Sequence, residues 1–347
     1  MDKIDIKSLS LDEISDYLKE KGEPKFRAKQ IFAWLHNFKV TSFSQMTNIS
    51  KKLIQMLDND CYITTFEVER KLVSQLDGTT KYLYKLQDNN FIESVVMDYK
   101  HGKSVCISTQ VGCKMGCKFC ASTIAGFVRN LTASEMLEQV YFVSRDSGVR
   151  ISNIVLMGIG EPLDNYDNVM RFLHLVSHEE GNNLSLRHVS LSTCGIVPKI
   201  QMLAKEKLGV TLSVSLHAPN DTIRSQTMPI NDAYNVDTLL KACKEYAQQT
   251  HRRISYEYAL IDGVNDSMQC AKELGSRLKG SLCHVNLIPV NQVKETGFKT
   301  AKKQNIQRFI QILEGYGITT TVRRTLGADI NAACGQLRRE NTQRGES

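Results

Sequence analysis

The chain has 347 residues, a formal net charge of +7, and 41% hydrophobic and 23% charged residues. This length allows one large domain or two to three small ones, and the composition is that of an ordinary soluble globular protein. No apolar run reaches the ~18 residues of a membrane span, and the polar N-terminal sequence MDKIDIKSLS lacks the apolar core of a signal peptide, so a cytoplasmic protein without membrane contact is expected.

Residues 1–60 are predicted to form a small helical module. Start signals place helices after Ser10, after Lys25 and after Ser50. Basic residues at the turns of such short helices can hold a nucleic-acid backbone, but they can equally form a solvated face. The modest positive charge of the whole chain suits a polyanionic partner without indicating one by itself.

Residues 61–102 change to the period-two alternation of strands, and an Asp77-Gly78 pair predicts a hairpin turn. The alternation places Glu93 on the same apolar face as Val95 and Met97. A carboxylate on such a face is costly unless it is paired. Glu93 is therefore either a general base or an inward-pointing charge that protects a sheet edge.

From residue 103 to residue 337 strands and helices alternate, which predicts right-handed βαβ units and a parallel sheet. Strands are predicted at 104–108, 152–157, 187–192, 210–216, 253–260, 283–288 and 318–323, and helices from 132 and at 166–178, 197–206, 236–247, 267–278 and 302–315. This number of units predicts an α/β fold, a partial (β/α)6 barrel, and a polar tail follows at 338–347.

Each unusual segment of this region follows a predicted strand. After the first six strands come, in order, a cysteine-rich loop and the segments 157–162, 192–195, 215–217, 262–266 and 289–291. The carboxyl ends of barrel strands meet at one rim, and active sites of barrel enzymes lie there. A purely structural role would scatter such segments, so an active site is predicted at this rim.

Cys113, Cys117 and Cys120 form a C-x3-C-x2-C run in a chain of ten cysteines. In a protein that is not secreted, this number points to reduced thiols, metal ligands or catalysis. A zinc site would need a fourth ligand close by, and no second pair follows. Three thiolates can instead hold a [4Fe–4S] cluster and leave one iron open. The spacing resembles the cluster signature of the radical S-adenosylmethionine superfamily, whose open iron chelates S-adenosylmethionine.

Other rim residues provide a matching set of polar groups. In the superfamily, the segment that matches Gly160-Glu161 meets the amino group of S-adenosylmethionine. Side chains or backbone groups of Ser192, of Ser215, Leu216 and His217, and of Asn291 can hydrogen-bond its carboxylate, ribose and adenine. Each of these residues alone would be weak evidence, and a lone His217 would more often be a core histidine. Their position on one rim with the three cysteines strengthens the interpretation.

Two further thiols are isolated in the sequence. Cys106 lies on the first barrel strand and Cys334 lies beyond the last one, where Gly335 permits a close backbone approach. Both are buried structural thiols on the simplest interpretation. The remaining cysteines, of which Cys194 is the least certain because it lies on the rim, are interpreted as structural: Cys61, Cys194, Cys243, Cys270 and Cys283.

Long motifs between Phe91 and Leu337 make the resemblance more specific. They include SVCISTQVGCKMGCKFCAS, GFVRNLTASE, MGIGEPLDN, LSTCGIVP, SLHAPND, MPIND, HVNLIPVN and DINAACGQL. With them the chain resembles the dual-specificity RlmN-type RNA methyltransferases. This resemblance implies methylation of carbon 2 of one adenosine in 23S rRNA, at the peptidyl transferase centre, and of the adenosine beside the anticodon in some tRNAs.

The resemblance also implies roles for the remaining residues. Cys334 would take a methyl group from one S-adenosylmethionine, and a second molecule would be cleaved at the reduced cluster, so that two are used per turnover. Glu93 would accept the proton from carbon 2. Cys106 would attack the sulfur of Cys334, release the product and leave a disulfide. A flavodoxin-like electron donor and a monomeric enzyme are expected.

Three alternatives stay open at this stage. A Cfr-type methyltransferase modifies carbon 8 of the same rRNA adenosine, although the GEPL segment favours the carbon-2 family. A non-catalytic RNA-binding protein with a structural cluster and a zinc-binding module are the others. Candidate RNA contacts are Lys25, Arg27, Lys29, Arg338, Arg339 and Arg344.

Overall fold

A ten-stranded mixed sheet forms the centre of the computed structural model, which describes residues 3–100, 102–291, 297–332 and 336. The strands of the described chain are β1 Ile4–Asp5, β2 Cys61–Tyr62, β3 Glu67–Val73, β4 Thr80–Lys85, β5 Phe91–Tyr99, β6 Gly102–Cys106, β7 Gln110–Gly112, β8 Phe127–Asn130, β9 Asn153–Leu156, β10 Val189–Thr193, β11 Thr211–Ser215, β12 Ile254–Leu260, β13 Cys283–Pro289 and β14 Thr319–Val322. The helices are α1 Leu11–Glu20, α2 Phe26–His36, α3 Lys51–Asp60, α4 Ala133–Ser147, α5 Tyr166–Ser177, α6 Val197–Glu206, α7 Asp221–Thr227, α8 Val236–Thr250, α9 Met268–Leu278 and α10 Lys303–Gly315.

The parallel part of the sheet follows the order of the chain. Strands β6, β9, β10, β11, β12, β13 and β14 are neighbours in that sequence, and every pair is parallel. Helices α4, α5, α6, α8, α9 and α10 lie in the connections, within a few residues of the predicted positions. The predicted α/β partial barrel is therefore confirmed, with β14 as a seventh strand.

An antiparallel extension continues the sheet beyond β6. Strands β5, β4 and β3 add to that edge in turn, and the predicted turn at Gly78 joins β3 to β4. Strand β5 is buried on both faces, rather than only on the predicted one. Ile92 and Val96 pack in the main core, whereas Val95 and Met97 belong to a second apolar cluster with Cys106. Pairing of β5 with β6 sets Val95 opposite Cys106.

The three predicted N-terminal helices are present as α1, α2 and α3, and a buried ion pair joins this region to the barrel. Lys7 Nζ lies 2.7 Å from Glu138 Oε2 on α4, and both side chains are fully buried. Lys7 also donates to the carbonyl oxygen of Thr64, and Glu138 Oε1 accepts from Arg145. Burial lowers the pKa of Lys7, and the attraction of Glu138 opposes that shift. Sequence periodicity could not predict this pair, because its partners are far apart in the chain.

None of the helices that the structure describes is both long and apolar enough to cross a membrane. The predicted polar tail at 338–347 lies outside the described residues.

We expect Lys7→Met to destabilise the protein by about 3 kcal/mol, because Glu138 would lose one partner of a buried charge network. Lys29→Met is the matched control, since Lys29 also pairs across the same junction, with Glu180 at 2.9 Å, but is exposed. Urea unfolding of both variants beside the wild type measures the difference. Equal effects of the two substitutions would contradict the role of the buried pair.

Candidate active site

A cavity lies at the carboxyl ends of the parallel strands and gathers most of the predicted site residues. Its walls come from the loops that follow β7, β9, β10, β11 and β13, together with strand β12. The predicted residues that line it are Cys113, Cys117, Cys120, Gly160, Glu161, Ser192, Ser215, His217 and Asn291. The structure thus brings together segments that are far apart in sequence, as the barrel rule predicts.

The three cysteines of the C-x3-C-x2-C run lie on one tight loop after β7. Gly112 begins it with φ +75°, and a Cβ there would lie 1.7 Å from the carbonyl oxygen of Gly126. Only glycine therefore fits the start of this loop. Farther along, the backbone N–H of Lys118 donates to the carbonyl of Thr227, which fixes the loop against α7.

The thiols of this loop are candidate ligands of an inorganic centre. Among the described residues, no three His, Cys, Asp or Glu side chains already converge on one metal position. Burial raises the pKa of Cys113 to about 12 and also raises that of Cys117. A bound cationic centre would stabilise their thiolates. The three residues therefore fit a [4Fe–4S] cluster with one iron left open.

Glu161 faces the cavity and also ties two rim loops together. Its Oε1 accepts from the backbone N–H of Leu163 at 3.0 Å, and its Oε2 accepts from that of Cys194 at 2.7 Å. Burial raises the pKa of Glu161, and these two donors oppose the shift. Gly160 has φ +110°, and a Cβ there would lie 2.7 Å from Cβ of Gln110. The glycine thus lets the loop after β9 approach β7, the strand before the cysteine loop, closely.

Arg224 on α7 is a structural residue of this rim that the sequence did not reveal. It is fully buried and donates to the carbonyl oxygens of Cys194 at 2.7 Å, Leu216 at 3.1 Å and Ser215 at 3.2 Å. These contacts hold the ends of β10 and β11 in place. Helix α7 spans only seven residues, which is too short to give a periodic signal. The predicted ligand Leu216 contributes backbone contacts here, while its side chain is buried in the core.

His217 is held as a neutral imidazole beside the cysteine loop. Its Nδ1 accepts from the backbone N–H of Ala259 at 2.9 Å, so its proton lies on Nε2. Burial, aided by the positive charge of Arg224, lowers the pKa of His217 to about 3. Its ring meets Phe119 edge-on, with the ring centroids 5.0 Å apart. His217 has φ +57°, and Asn265 holds this backbone by donating to its carbonyl at 2.7 Å.

A second cavity adjoins the first and contains Cys106. Its walls include Val95, Met97, Cys106 and Ala332, and it shares Met157, Ile288, Asn291 and Arg323 with the first cavity. Ala332 stands two positions before Cys334, which itself lies outside the described residues. The segment that leads to Cys334 therefore packs at the cavity of Cys106. No disulfide joins any two of the described cysteines.

Glu93 lies in a small pocket of its own, which shares no lining residue with the two cavities. Its side chain is 1% exposed, and Lys81 Nζ lies 2.9 Å from its Oε1. Leu72, Leu83 and Arg70 complete the pocket. The carboxylate thus points inward, as the period-two pattern predicts. It is also paired, as a buried charge requires.

Glu257 is a second buried carboxylate, on the wall of the first cavity. It accepts from Ser255 at 3.0 Å and from Asn286 at 2.8 Å. Burial raises its pKa, and the positive charge of Arg323 opposes the shift. The pattern that singled out Glu93, a carboxylate within an apolar strand, is also present in ISYEYAL and could have identified Glu257.

Of the candidate RNA contacts, Lys25 and Lys29 are exposed on the surface of the helical module. Arg27 is partly buried and donates to Gln30 and to the carbonyl of Asn48. The other three candidates, Arg338, Arg339 and Arg344, lie outside the described residues.

Two sequence models of known families match the chain. Residues 4–63 match the N-terminal domain of ribosomal RNA large subunit methyltransferases, and residues 107–272 match the radical SAM superfamily.

Similar proteins span the whole length of the chain. A probable dual-specificity RNA methyltransferase RlmN of Alkaliphilus oremlandii is 55% identical over 99% of this chain and 100% of its own. The protein of the same description from Clostridium botulinum strain Eklund 17B is 56% identical over 95% of both chains. A crystal structure of a radical SAM methyltransferase from Sphaerobacter thermophilus superposes with a TM-score of 0.92, is 43% identical, and covers 96% of this chain and 99% of that one.

We expect His217 to make folding sensitive to acid. Its pKa is about 3 when folded and about 6.5 when unfolded, so the unfolded state binds the proton first as pH falls below 6.5 and stability is lost. Between pH 7 and pH 5.5 this loss amounts to about 1 kcal/mol. His217→Gln, whose amide does not titrate, should lose correspondingly less stability in urea titrations at the two pH values. An equal loss in both proteins would show that His217 is not the cause.

We also expect Cys117→Ala to lose most of its iron and acid-labile sulfide after anaerobic reconstitution, because the loop would then offer only two thiolates. Cys243→Ala, which removes a buried thiol on α8, should keep both. Elemental analysis beside visible absorption checks this. Stoichiometric zinc binding to the wild type in place of iron and sulfide would instead favour a zinc site.

Proposed function

The chain belongs to the RlmN family of radical S-adenosylmethionine RNA methyltransferases, and we propose that it methylates carbon 2 of adenosine through a methyl group carried on Cys334. Membership makes it an enzyme that uses S-adenosylmethionine, a [4Fe–4S] cluster and an RNA substrate. The proposed targets are one adenosine of 23S rRNA at the peptidyl transferase centre and the adenosine next to the anticodon of tRNAs.

The observation that carries this proposal is the junction of the two cavities. The first is lined by the three cysteines of the cluster loop, and the second by Cys106 and by Ala332, close to Cys334 in sequence. Asn291 and Arg323 line both. The two cavities are therefore adjacent, so a group activated in the first lies close to a side chain in the second.

Carbon 2 of adenine lies between two ring nitrogens and is electron-poor, so it does not attack a sulfonium methyl group directly. The thiolate of Cys334 can do so by simple displacement, which converts one S-adenosylmethionine to its thioether and leaves a methylated cysteine. When bound, the cluster supplies the electron that cleaves a second S-adenosylmethionine to the 5′-deoxyadenosyl radical, which removes a hydrogen atom from that methyl group. The use of two molecules per turnover follows from these two different tasks.

Polar groups of the first cavity are assigned to binding S-adenosylmethionine. Glu161 with Gly160 is proposed to receive its ammonium group, and Ser192, Ser215 and Asn291 its carboxylate, ribose or adenine. His217 is proposed to donate from Nε2, which the Ala259 N–H contact at Nδ1 keeps protonated. Leu216 is proposed to contribute through its backbone. A neutral His217 avoids adding a further positive charge beside the sulfonium and ammonium groups.

Glu93 and Cys106 are assigned to the last steps. Glu93 is proposed to accept the proton of carbon 2 once the methylene carbon has joined the base. The unpaired electron of the adduct would pass back to the cluster. Cys106 then attacks the sulfur of Cys334 and forms a disulfide, while the product carbon keeps the electron pair of its broken bond to sulfur and takes up a proton to become the methyl group. An external reductant must return the two thiols for the next turnover. An acidic flavodoxin-like protein is the proposed electron donor, and a monomer the proposed functional unit.

A Cfr-type enzyme would modify carbon 8 instead and remains the nearest alternative. Pro162 after Glu161, in GEPL, supports the carbon-2 assignment. Mass spectrometry of nucleosides from RNA treated with the enzyme separates the two, because 2-methyladenosine and 8-methyladenosine are distinct products. Finding the 8-methyl product alone would overturn the proposed position.

We expect Cys334 of the wild type purified from cells to carry a methyl group, and Cys106→Ala to carry RNA covalently on Cys334. Without Cys106, nothing attacks the sulfur of Cys334, so the adduct persists. Mass spectrometry of the protein after ribonuclease digestion measures both species. Cys243→Ala, which removes a buried thiol outside both cavities, is the control and should carry the methyl group without RNA.

Two results would contradict this mechanism. The absence of both species from protein shown to hold its cluster would mean that Cys334 is not the methyl carrier. Normal product release by Cys106→Ala would mean that another group resolves the adduct.

A further inference from the structure

Lys81 and Glu93 form a buried pair in the antiparallel extension of the sheet. They lie on neighbouring strands, where Lys81 is opposite Val95 and Leu83 is opposite Glu93, so the two side chains are diagonal neighbours on one face. Lys81 Nζ lies 2.9 Å from Glu93 Oε1, and the two side chains are 8% and 1% exposed. The ion pair is thus nearly sealed from water.

Two basic residues share the pocket of Glu93. The charged groups that line it are Arg70 from β3, Lys81 from β4 and Glu93 itself from β5. From the neighbouring segments, Ser108 donates to the backbone carbonyl of Glu93, and Asn331 presents a carbonyl oxygen to Lys81. Lys81 contacts the carboxylate directly.

Stability alone does not explain such a pair. Removing two charges from water costs several kcal/mol per ion, and apolar residues of similar volume often replace buried pairs without loss of stability. Leu83, the next residue on the same face of β4, is apolar and buried, which shows what this face of the fold accepts. A charged pair at this place is better explained by the chemistry of Glu93.

The pair is also connected to the segment that leads to Cys334. Lys81 Nζ lies 3.4 Å from the carbonyl oxygen of Asn331, and Ala332 follows in the wall of the Cys106 cavity. Lys81 therefore contacts both the carboxylate and the backbone three residues before the proposed methyl carrier. No other lysine of the extension combines these contacts among the described residues.

We propose that Lys81 is a positioning residue for Glu93, which it keeps ionised and fixed in place until the carboxylate accepts the carbon-2 proton. This inference rests on the proposed function. The proton moves from carbon 2 to a Glu93 carboxylate oxygen, and the electron pair of the C–H bond stays with the adenine ring. Glu93 becomes a neutral acid, and Lys81 Nζ still has the Asn331 carbonyl as an acceptor.

The test uses the full-length protein with its cluster and follows two events in single-turnover experiments over a range of pH. These are methylation of Cys334 and discharge of the covalent RNA adduct. Lys81→Met removes the charge, and Lys81→Gln removes it but keeps a polar group that can reach Asn331. Lys81→Arg restores the charge. Lys85→Met is the matched control, because Lys85 lies on the same strand but is more exposed and 3.7 Å from Glu67.

We expect Lys81→Met and Lys81→Gln to methylate Cys334 like the wild type, which also shows that they fold. On the acidic side of the plot of discharge rate against pH, the rate should fall about tenfold or more. A displacement of this acidic limb by one pH unit changes the rate there by a factor of ten. The rate should recover at higher pH, where Glu93 ionises without help. Lys81→Arg and Lys85→Met should follow the wild-type profile closely.

Unchanged profiles for both neutral variants, or an equal slowing at every pH, would overturn the inference, the latter pointing to a merely structural role. Loss of Cys334 methylation in both would overturn it as well, since the effect would then precede the proton transfer. Glu93→Gln tests the premise separately, because it should retain the adduct at every pH. Normal discharge by Glu93→Gln would refute the base assignment itself, whatever Lys81 does.

Discussion

The loop after β10 is held between two buried charges, and the geometry of the active-site rim depends on this arrangement. Glu161 accepts from the backbone N–H of Cys194, and Arg224 donates to the carbonyl of the same residue. A carboxylate from the loop after β9 and a guanidinium from α7 thus fix one peptide segment from both sides. Among the described side chains no carboxylate forms an ion pair with Arg224, so its charge is balanced by carbonyl dipoles. It also opposes the effect of burial on the pKa of Cys117.

The antiparallel extension adds residues that the parallel strands do not carry. The parallel strands carry the cysteine loop and the groups proposed to bind S-adenosylmethionine, whereas β5 adds a second wall beyond β6. Its register sets Val95 opposite Cys106, and the same face carries Glu93 one pair further along. A shift of one residue would turn Glu93 into the main core and bring Ile92 or Ser94 to its place. The apolar pattern of β5 therefore specifies the position of the proposed base as well as the packing.

The sequence predicted the elements whose signals are long and local. Every barrel strand and the helices between them lie within a few residues of their predicted positions, because period-two and period-3.6 patterns persist over many residues. Strands β1 and β2, with two residues each, and helix α7 have no such signal. The rim rule located the cavity from the positions of loops, but it gave no reason to expect Arg224 or Lys81. Their roles depend on contacts between residues that are distant in the chain.

Buried carboxylates occur in several parts of this molecule, and two of them line the first cavity. Glu135, Glu138 and Asp266 are buried where the fold itself uses them, in a helix cap, an ion pair and a turn. Glu161 and Glu257 are instead buried in the wall of the first cavity. Each is satisfied by donors, yet each retains a desolvation cost that an apolar side chain would avoid. Two carboxylates kept at that cost in one cavity wall are the physical mark of a site that handles cations and protons.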